Sequence, residues 1–381
     1  MTKNISHLDL IRAAILAPTP DNNQPWLFGS EGENLLVYLD PRRTLPSDVN
    51  FMFDLLGLGA AIENIRLAAS AQEYATSVDD SPVVRGGLAA CESVGKSVDE
   101  GGDGPKLVAR LSFAPGGILD PLVEQLENRC SCRKLYSTKP LDTGCKERLS
   151  HAAAEFSEVQ LDWILDRPRI RSLAGLLASS DRVRFEYEPF HNEIFRQLRF
   201  TVEEAERTRD GLDLRTLELP PGVGAMLGML RPWNRMQWLH RLGLGRMLTV
   251  PSAVSVCKSS AIGVLSLGEP SAAGFLRAGQ AFQRIWLASE AEKLSLQPLG
   301  SLAVFFAHAQ QLDGKKLSSQ HQELIARLIP RFGGLVPPAR ERCVQMLFRV
   351  GKSARPGVRS LRRPEEEVMC SQGTWLNGDL S

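Results

Sequence analysis

Ala17-Pro18-Thr19-Pro20-Asp21-Asn22-Asn23-Gln24-Pro25-Trp26 decides how this 381-residue chain is read. Its three prolines stiffen the backbone, and its two Asn carry amides that both donate and accept hydrogen bonds. Its Trp belongs to a residue type that anchors turns in a core. A rigid polar turn closed by a buried aromatic is suited to lining a flat heterocycle, with Asn22 as the expected ring contact. The turn hangs from a helix end. Ser6 with Asp9 three residues on forms a helix start, and Leu8, Ile11, Ile15 and Leu16 recur at helical spacing until Pro18 and Pro20 stop the run.

Outward from this turn, 34–39 (NLLVYL) reads as a strand. Residues 51–74, with Leu55, Leu58, Ile62, Ile65 and Ala69 on one face, read as a long helix. The Gly-, Asp- and Ser-rich stretch 79–105 reads as a loop, 106–113 (KLVARLSF) as a strand and 120–127 as a short helix. After Arg129 a similar order restarts: a helix over 142–155, a strand over 159–165, a helix over 168–178 with Pro168 in its first turn, and one long helix through 191–207. The spacing further predicts a central strand over 261–267 (AIGVLSL), a helix over 275–294 and a late strand over 345–350. The apolar stretch 250–268, broken by Lys258 and several Ser, reads as buried strand and loop rather than a bilayer span. Residues 212–250 concentrate Met226, Met229, Met236, Met247, Trp233 and Trp238 among Gly and Pro. They read equally as a lid, as a partner-facing segment or as an insertion packed on its own domain.

Lys plus Arg number 45 against 44 Asp plus Glu, so the net charge of +1 gives no broad reason to expect nucleic acid or a membrane as partner. Any anion site is then local. Seven widely scattered Cys point to reduced thiols and a cytoplasmic setting. Cys130-x-Cys132 lacks two further ligands at matching spacing and the six His form no HExxH, so no metal is expected. The N-terminal apolar segment is interrupted by Asp9 and Arg12, unlike a signal peptide.

A second segment, Arg129-Cys130-Ser131-Cys132-Arg133-Lys134-Leu135-Tyr136, brings two Arg and a Ser hydroxyl within reach of a phosphate. In extended form it sends Arg129, Ser131 and Arg133 to one side and the two Cys to the other. Residues 17–26 resemble the flavin-ring segment A-P-S-x-x-N-x-Q-P-W of the FMN-dependent nitroreductase family, with Thr19 in place of the usual Ser. Residues 129–136 resemble that family's phosphate-binding R-x-S-x-R-x-[FY], but in inverted order along the chain. No R-x-S-x-R precedes Pro18, and 152–160 (AAAEFSEVQ) stands where a second ring segment belongs. Each half lacks what the other keeps. Ordinary members build each pocket from two subunits, so the chain resembles two units fused in tandem, the Acg-like branch.

The resemblance implies an α+β fold of two pseudo-dimeric halves, each a mixed, largely antiparallel sheet flanked by helices. Residues 1–127 would carry the ring segment and 128–381 the phosphate segment, with 212–250 as a lid insertion and one FMN pocket between the halves. It implies cofactor contacts from Pro18, Thr19, Asn22, Gln24, Arg129, Ser131 and Arg133, and from Arg362 and Arg363 of a closing basic segment. Arg133 would be the catalytic charge that favours reduced flavin. The implied activity is an FMN-dependent oxidoreductase passing hydride through flavin N5 to or from a small-molecule substrate. NADH or NADPH is the family's default donor, although no G-x-G-x-x-G signature is present. Two rivals are a flavin-sequestering protein whose 212–250 segment closes the pocket without turnover, and a flavin-dependent desaturating oxidase of a biosynthetic pathway. The implied assembly is a monomer with an internal pseudo-dimer, or a higher assembly through 212–250.

Overall fold

A computed structural model describes residues 5–86, 104–242 and 244–370. The chain opens with α1 (His7–Ala14), where the Ser6 hydroxyl accepts from the Asp9 N–H at 3.3 Å. Next come β1 (Trp26–Glu31), β2 (Asn34–Leu39), α2 (Met52–Ser70), β3 (Tyr74–Asp79), α3 (Ser81–Gly86) and β4 (Lys106–Pro115). The middle of the chain holds α4 (Thr143–His151), β5 (Val159–Ile164), α5 (Arg167–Glu186), α6 (Glu188–Gln197), β6 (Leu198–Arg199), α7 (Val202–Thr208) and β7 (Leu212–Asp213). It continues with α8 (Val223–Leu230), α9 (Trp233–Arg241), α10 (Val250–Cys257), β8 (Ala261–Leu267) and α11 (Ala272–Ala291). Last are β9 (Ser295–Leu299), α12 (Ser301–Gln311), α13 (Ser319–Leu335), β10 (Cys343–Gly351) and α14 (Glu365–Val368).

Two four-stranded sheets carry the architecture, ordered β1-β2-β4-β3 and β5-β8-β10-β9, every neighbouring pair antiparallel. The topology is the same twice. In each sheet the spatial order is first, second, fourth, third strand, and a long helix, α2 or α11, links the second to the third. Those two helices cross in mutual contact. A Cβ on Gly59 would lie 1.9 Å from the Leu276 carbonyl oxygen, and a Cβ on Gly279 would lie 2.0 Å from that of Leu56. Such reciprocity, in which each helix offers the same small residue to the same site on the other, is what a two-fold axis produces between subunits. The fold is α+β with two pseudo-dimeric halves. Around the crossing, buried Glu63 accepts from Arg66 and Arg284 at 2.7 Å each, and Gln283 donates to Asn64 at 2.6 Å. Because α2 meets α11 as well as its own sheet, it is buried nearly all round.

The tail then returns to the first half. Phe28 of β1 pairs in a parallel bridge with Met369, and the Cys370 N–H donates to the Phe28 carbonyl at 2.7 Å. The cut at 127/128 thus divides the sequence, while the last described residues pack against the first sheet.

Several expectations need correction. β1 is a strand where only an anchoring Trp was expected. The stretch 79–105 contains α3, and its residues 87–103 lie outside those described. The single helix over 191–207 is broken, because Leu198–Arg199 pairs in parallel with Leu212–Asp213 and Thr201 caps a new helix by accepting from the Glu204 N–H. α10 is a helix within the apolar stretch read as strand and loop, and α12 and α13 lay beyond the sequence reading. Among the described residues no helix is long and apolar enough to cross a membrane.

Candidate functional site

The turn after α1 is backbone-strained. Asp21, Asn22 and Gln24 sit at φ of 44°, 59° and 50°, a left-handed region that Asp and Asn tolerate and Gln disfavours by about 1–2 kcal/mol. Side-chain bonds hold it there. The Gln24 amide donates to the Arg209 carbonyl at 2.8 Å and accepts from the Arg363 N–H at 2.8 Å, and its own N–H donates to the Thr19 hydroxyl at 3.1 Å. Asn22 donates to the Leu361 carbonyl at 3.1 Å and accepts from the Arg362 guanidinium at 2.8 Å. The turn is therefore welded to the C-terminal tail and, through Arg209, to the chain entering β7.

The 129–133 segment runs along the edge of the second sheet: Ser131 bridges to Leu296 of β9, and the Cys132 N–H donates to the Leu296 carbonyl at 3.2 Å. Arg129 is buried, donates to the Leu16 carbonyl at 2.9 Å, and lies 4.5 Å over the Trp286 ring. The sheet edge sets the two ends of this segment differently. Cys132 is buried with its thiol 3.5 Å from the Ala354 carbonyl, whereas Cys130 lines the cavity beside Arg129 and Ser131, against the expected alternation.

Turn, segment and tail converge on a cavity of about 700 Å³, within the size range of small-molecule sites. Pro18, Thr19, Asn22, Arg129, Ser131, Arg133 and Arg362 all line it. So the two motifs, more than a hundred residues apart, meet. Gln24 and Arg363 do not line it: Gln24 is fully buried in the welds above, and the Arg363 side chain turns to Glu367. Their hydrogen bonds hold the turn and the tail together. Asn22 lines the wall with its amide bonded to the tail, donating one N–H to Leu361 and accepting from Arg362, which leaves its second N–H and a lone pair unused by those bonds. Of the 212–250 segment only Leu212, Thr216 and Leu217 reach the cavity, and the Met- and Trp-rich remainder does not.

Charge decides what the cavity accepts. Arg129 and Arg362 form no ion pair among the described residues, and the buried Nε of each has no hydrogen-bond partner. Burial pushes Arg129 down to about 10, with Arg359 adding to it against the opposing pull of Cys130 and Glu290, and pushes Arg362 down to about 9, with Arg129 and Arg359 adding to it; the Arg359 guanidinium donates to the Arg129 carbonyl at 2.7 Å. Guanidinium groups stay charged at neutral pH, so these depressions report a cationic cluster that the half-buried Glu290 offsets only in part, with donors to spare. A multivalent oxyanion is what such a cluster binds. Apolar Leu56, Phe53, Phe282, Trp286 and Met346 complete the wall.

Arg359 and Arg184 were missed. Arg359 lies three residues before the basic segment that was singled out, and Arg184 in a helix read as ending near 178. Arg184 pairs with Asp21 at 3.3 Å, which also faces Arg133. Arg133 donates to the Thr216 carbonyl at 3.1 Å and is held below its ordinary value by burial. Nearby, Asp48 lines the cavity and accepts from the N–H groups of Phe53 and Asp54, yet burial and the neighbouring Asp54 push its carboxyl well up.

Asp54 itself is buried and raised to about 6, chiefly by desolvation. A carboxyl that ionises near 4 when unfolded and near 6 when folded loses stability as pH rises across that window. Asp54→Asn removes the loss. Its unfolding free energy relative to the parent is expected to climb between about pH 4 and pH 6, by up to about 3 kcal/mol, and stay level above. Denaturant melts at both pH values check this, and a pH-independent difference would refute the assignment.

No family model matches the chain. An uncharacterized protein of Mycobacterium tuberculosis is 28% identical over 374 residues, covering 94% of this chain and 47% of the relative. The chain thus spans about half the length of the curated relative it matches. Among solved structures, a putative nitroreductase of Desulfovibrio desulfuricans in complex with FMN is 15% identical, covering 67% of this chain and 98% of its own at a TM-score of 0.32. A nitroreductase of Desulfitobacterium hafniense with bound FMN is 9% identical, covering 67% and 99% at 0.35. The FMN-dependent nitroreductase NfnB of Mycobacterium smegmatis, in complex with NADPH, is 14% identical, covering 65% and 96% at 0.34. These neighbours are nitroreductases. What this chain binds is argued below from its own cavity.

Proposed function

We propose that the chain is an FMN-dependent oxidoreductase of the nitroreductase type, with one flavin site per chain. The observation that carries this reading is the cavity in which the Pro18–Asn22 turn meets Arg129, Arg359 and Arg362, which form no salt bridge among the described residues, the Nε of Arg129 and of Arg362 being without a hydrogen-bond partner. A flat cofactor ending in a phosphate fits that donor set. Arg129, Arg359 and Arg362 would hold the phosphate with the Ser131 hydroxyl, and the Pro18–Thr19 backbone would wall the ring. FMN, when bound, supplies hydride chemistry that no side chain here supplies. The protein's part is orientation and charge: Arg133 places a buried cation on the wall, and Phe282, Trp286 and Leu56 keep water out. No conventional acid or base is required of it.

NADH or NADPH is the proposed donor. Anaerobic mixing of flavin-loaded protein with each nicotinamide is expected to bleach the bound flavin's absorbance. A specific contact favours a second reading: Thr216 and Leu217 line the cavity and Arg133 grips the Thr216 carbonyl, so this segment closes one side. Retained flavin that neither nicotinamide bleaches would sink the reductase reading and favour sequestration, and bleaching by an organic substrate alone would favour the oxidase.

A further inference from the structure

The Met- and Trp-rich segment that leaves the cavity is an unusual surface. Of the exposed large apolar side chains, Met226, Met229, Trp238, Leu242, Met247, Val250 and Val254 all fall within α8, α9, α10 and the turns joining them. Trp238 is 63% exposed and Met247 65%, values a Trp or Met reaches only where nothing covers it. Along α9, Arg235, Trp238 and the capping Leu242 follow one another at helical spacing, and Val250 and Val254 do so in α10, directly after the turn that carries Met247.

The charge is as one-sided as the hydrophobicity. From 219 to 268 the sequence contains neither Asp nor Glu, in a chain whose acids and bases otherwise balance. Arg231, Arg235, Arg241 and Lys258 are exposed and form no ion pair, although twenty-one salt bridges occupy arginines and lysines elsewhere among the described residues. The acids of the helix beneath are engaged: Asp181 accepts from Ser252, and Glu186 pairs with Arg182. Exposed Trp, Met and Leu beside unpaired Arg, with no acid between them, is the composition of a surface that lies in a headgroup layer.

We propose that the face formed by α8, α9 and α10 docks on a lipid bilayer bearing anionic headgroups, with Trp238, Leu242 and Met247 entering the interface and Arg231, Arg235 and Arg241 meeting the lipid charge. A second copy of the chain fits this face poorly. In a two-fold contact the patch would meet itself and bring unpaired cations together with no carboxylate to offset them. The net charge of +1 predicts no membrane affinity for the molecule as a whole, so the attraction is confined to this face. The inference does not depend on the flavin reading.

The test is co-sedimentation of the full chain with vesicles of phosphatidylcholine alone and of phosphatidylcholine with about a third phosphatidylglycerol. Binding is expected only to the anionic vesicles, with a blue-shifted Trp emission and weakening in high salt. Arg235→Glu/Arg241→Glu and Trp238→Ser should each lower partitioning at least about tenfold while far-UV circular dichroism and melting stay at parental values. No vesicle binding, equal binding to both vesicles, or undiminished binding by the folded variants would overturn the proposal. So would a concentration-dependent dimer that Trp238→Ser abolishes, with vesicles ignored.

Discussion

Arg129→Met is expected to weaken FMN binding about tenfold to a hundredfold while leaving the flavin-free protein as stable as its parent or more so. The first half follows from the ~1.5–3 kcal/mol that hydrogen bonds between charged groups are worth. The second follows from burial. Arg129 has no carboxylate partner and an orphaned Nε, so the folded protein without an anion carries a desolvation cost that Met does not. Met forfeits the guanidinium's place 4.5 Å over the Trp286 ring, but its thioether lies well against an aromatic face and offsets part of that loss. Opposite movements in affinity and stability are a signature that a merely structural arginine cannot give, since its loss would lower both. Arg363→Met is the control: it lies outside the cavity and should leave affinity within about twofold. Equilibrium fluorescence titration with FMN and thermal melts without it measure the two quantities. An Arg129 variant that keeps full affinity would remove this residue from the site.

Gly279→Ala should be among the most damaging single-methyl additions in the molecule, costing about 2–4 kcal/mol. The new Cβ would stand 2.0 Å from the Leu56 carbonyl oxygen, a backbone atom that cannot rotate away, so α2 and α11 must separate. Ala normally stabilises a helix interior over Gly by about 1 kcal/mol, and the clash has to exceed that gain. Gly175 in α5 provides the contrast. Nothing lies within 4 Å of its would-be Cβ, so Gly175→Ala should stabilise by up to about 1 kcal/mol. Because the cavity spans the seam that this crossing sets, Gly279→Ala should also loosen flavin. Denaturant melts of the two variants should therefore move in opposite directions, and equal shifts would refute the account of the crossing.

The sequence was legible where local rules act alone. The Ser6 cap, the NLLVYL strand and the AIGVLSL strand fall where alternation, capping and apolar runs place them. The long helix over 51–74 was legible as an element but not as a crossing, since its Gly59 acquires meaning only against Leu276. Residues 191–207 misled because Leu198 and Arg199 continue a helical pattern until partners downstream, Leu212 and Asp213, pull them into a bridge. At the site, Arg129, Ser131 and Arg133 could be picked from chemistry and spacing, whereas Arg362 came only with the family resemblance. Arg359 matched no motif position, and its place beside Arg129 emerges only once the tail is seen returning to the first sheet, where Met369 pairs with Phe28. Asn22 was read as a ring contact because an amide suits a heterocycle, and Gln24 only through the resemblance; what neither reading could foresee is that the tail and Arg209 bond to both side chains.

The most direct test of the central claim is the flavin stoichiometry of the purified protein, read from its visible absorption after reconstitution with FMN. A single cationic cavity built jointly by the early turn, the mid-chain segment and the returning tail predicts one FMN per chain. Two per chain would mean that each half holds its own pocket, and none would mean that the cluster of Arg129, Arg359 and Arg362 serves another anion; either result contradicts the account.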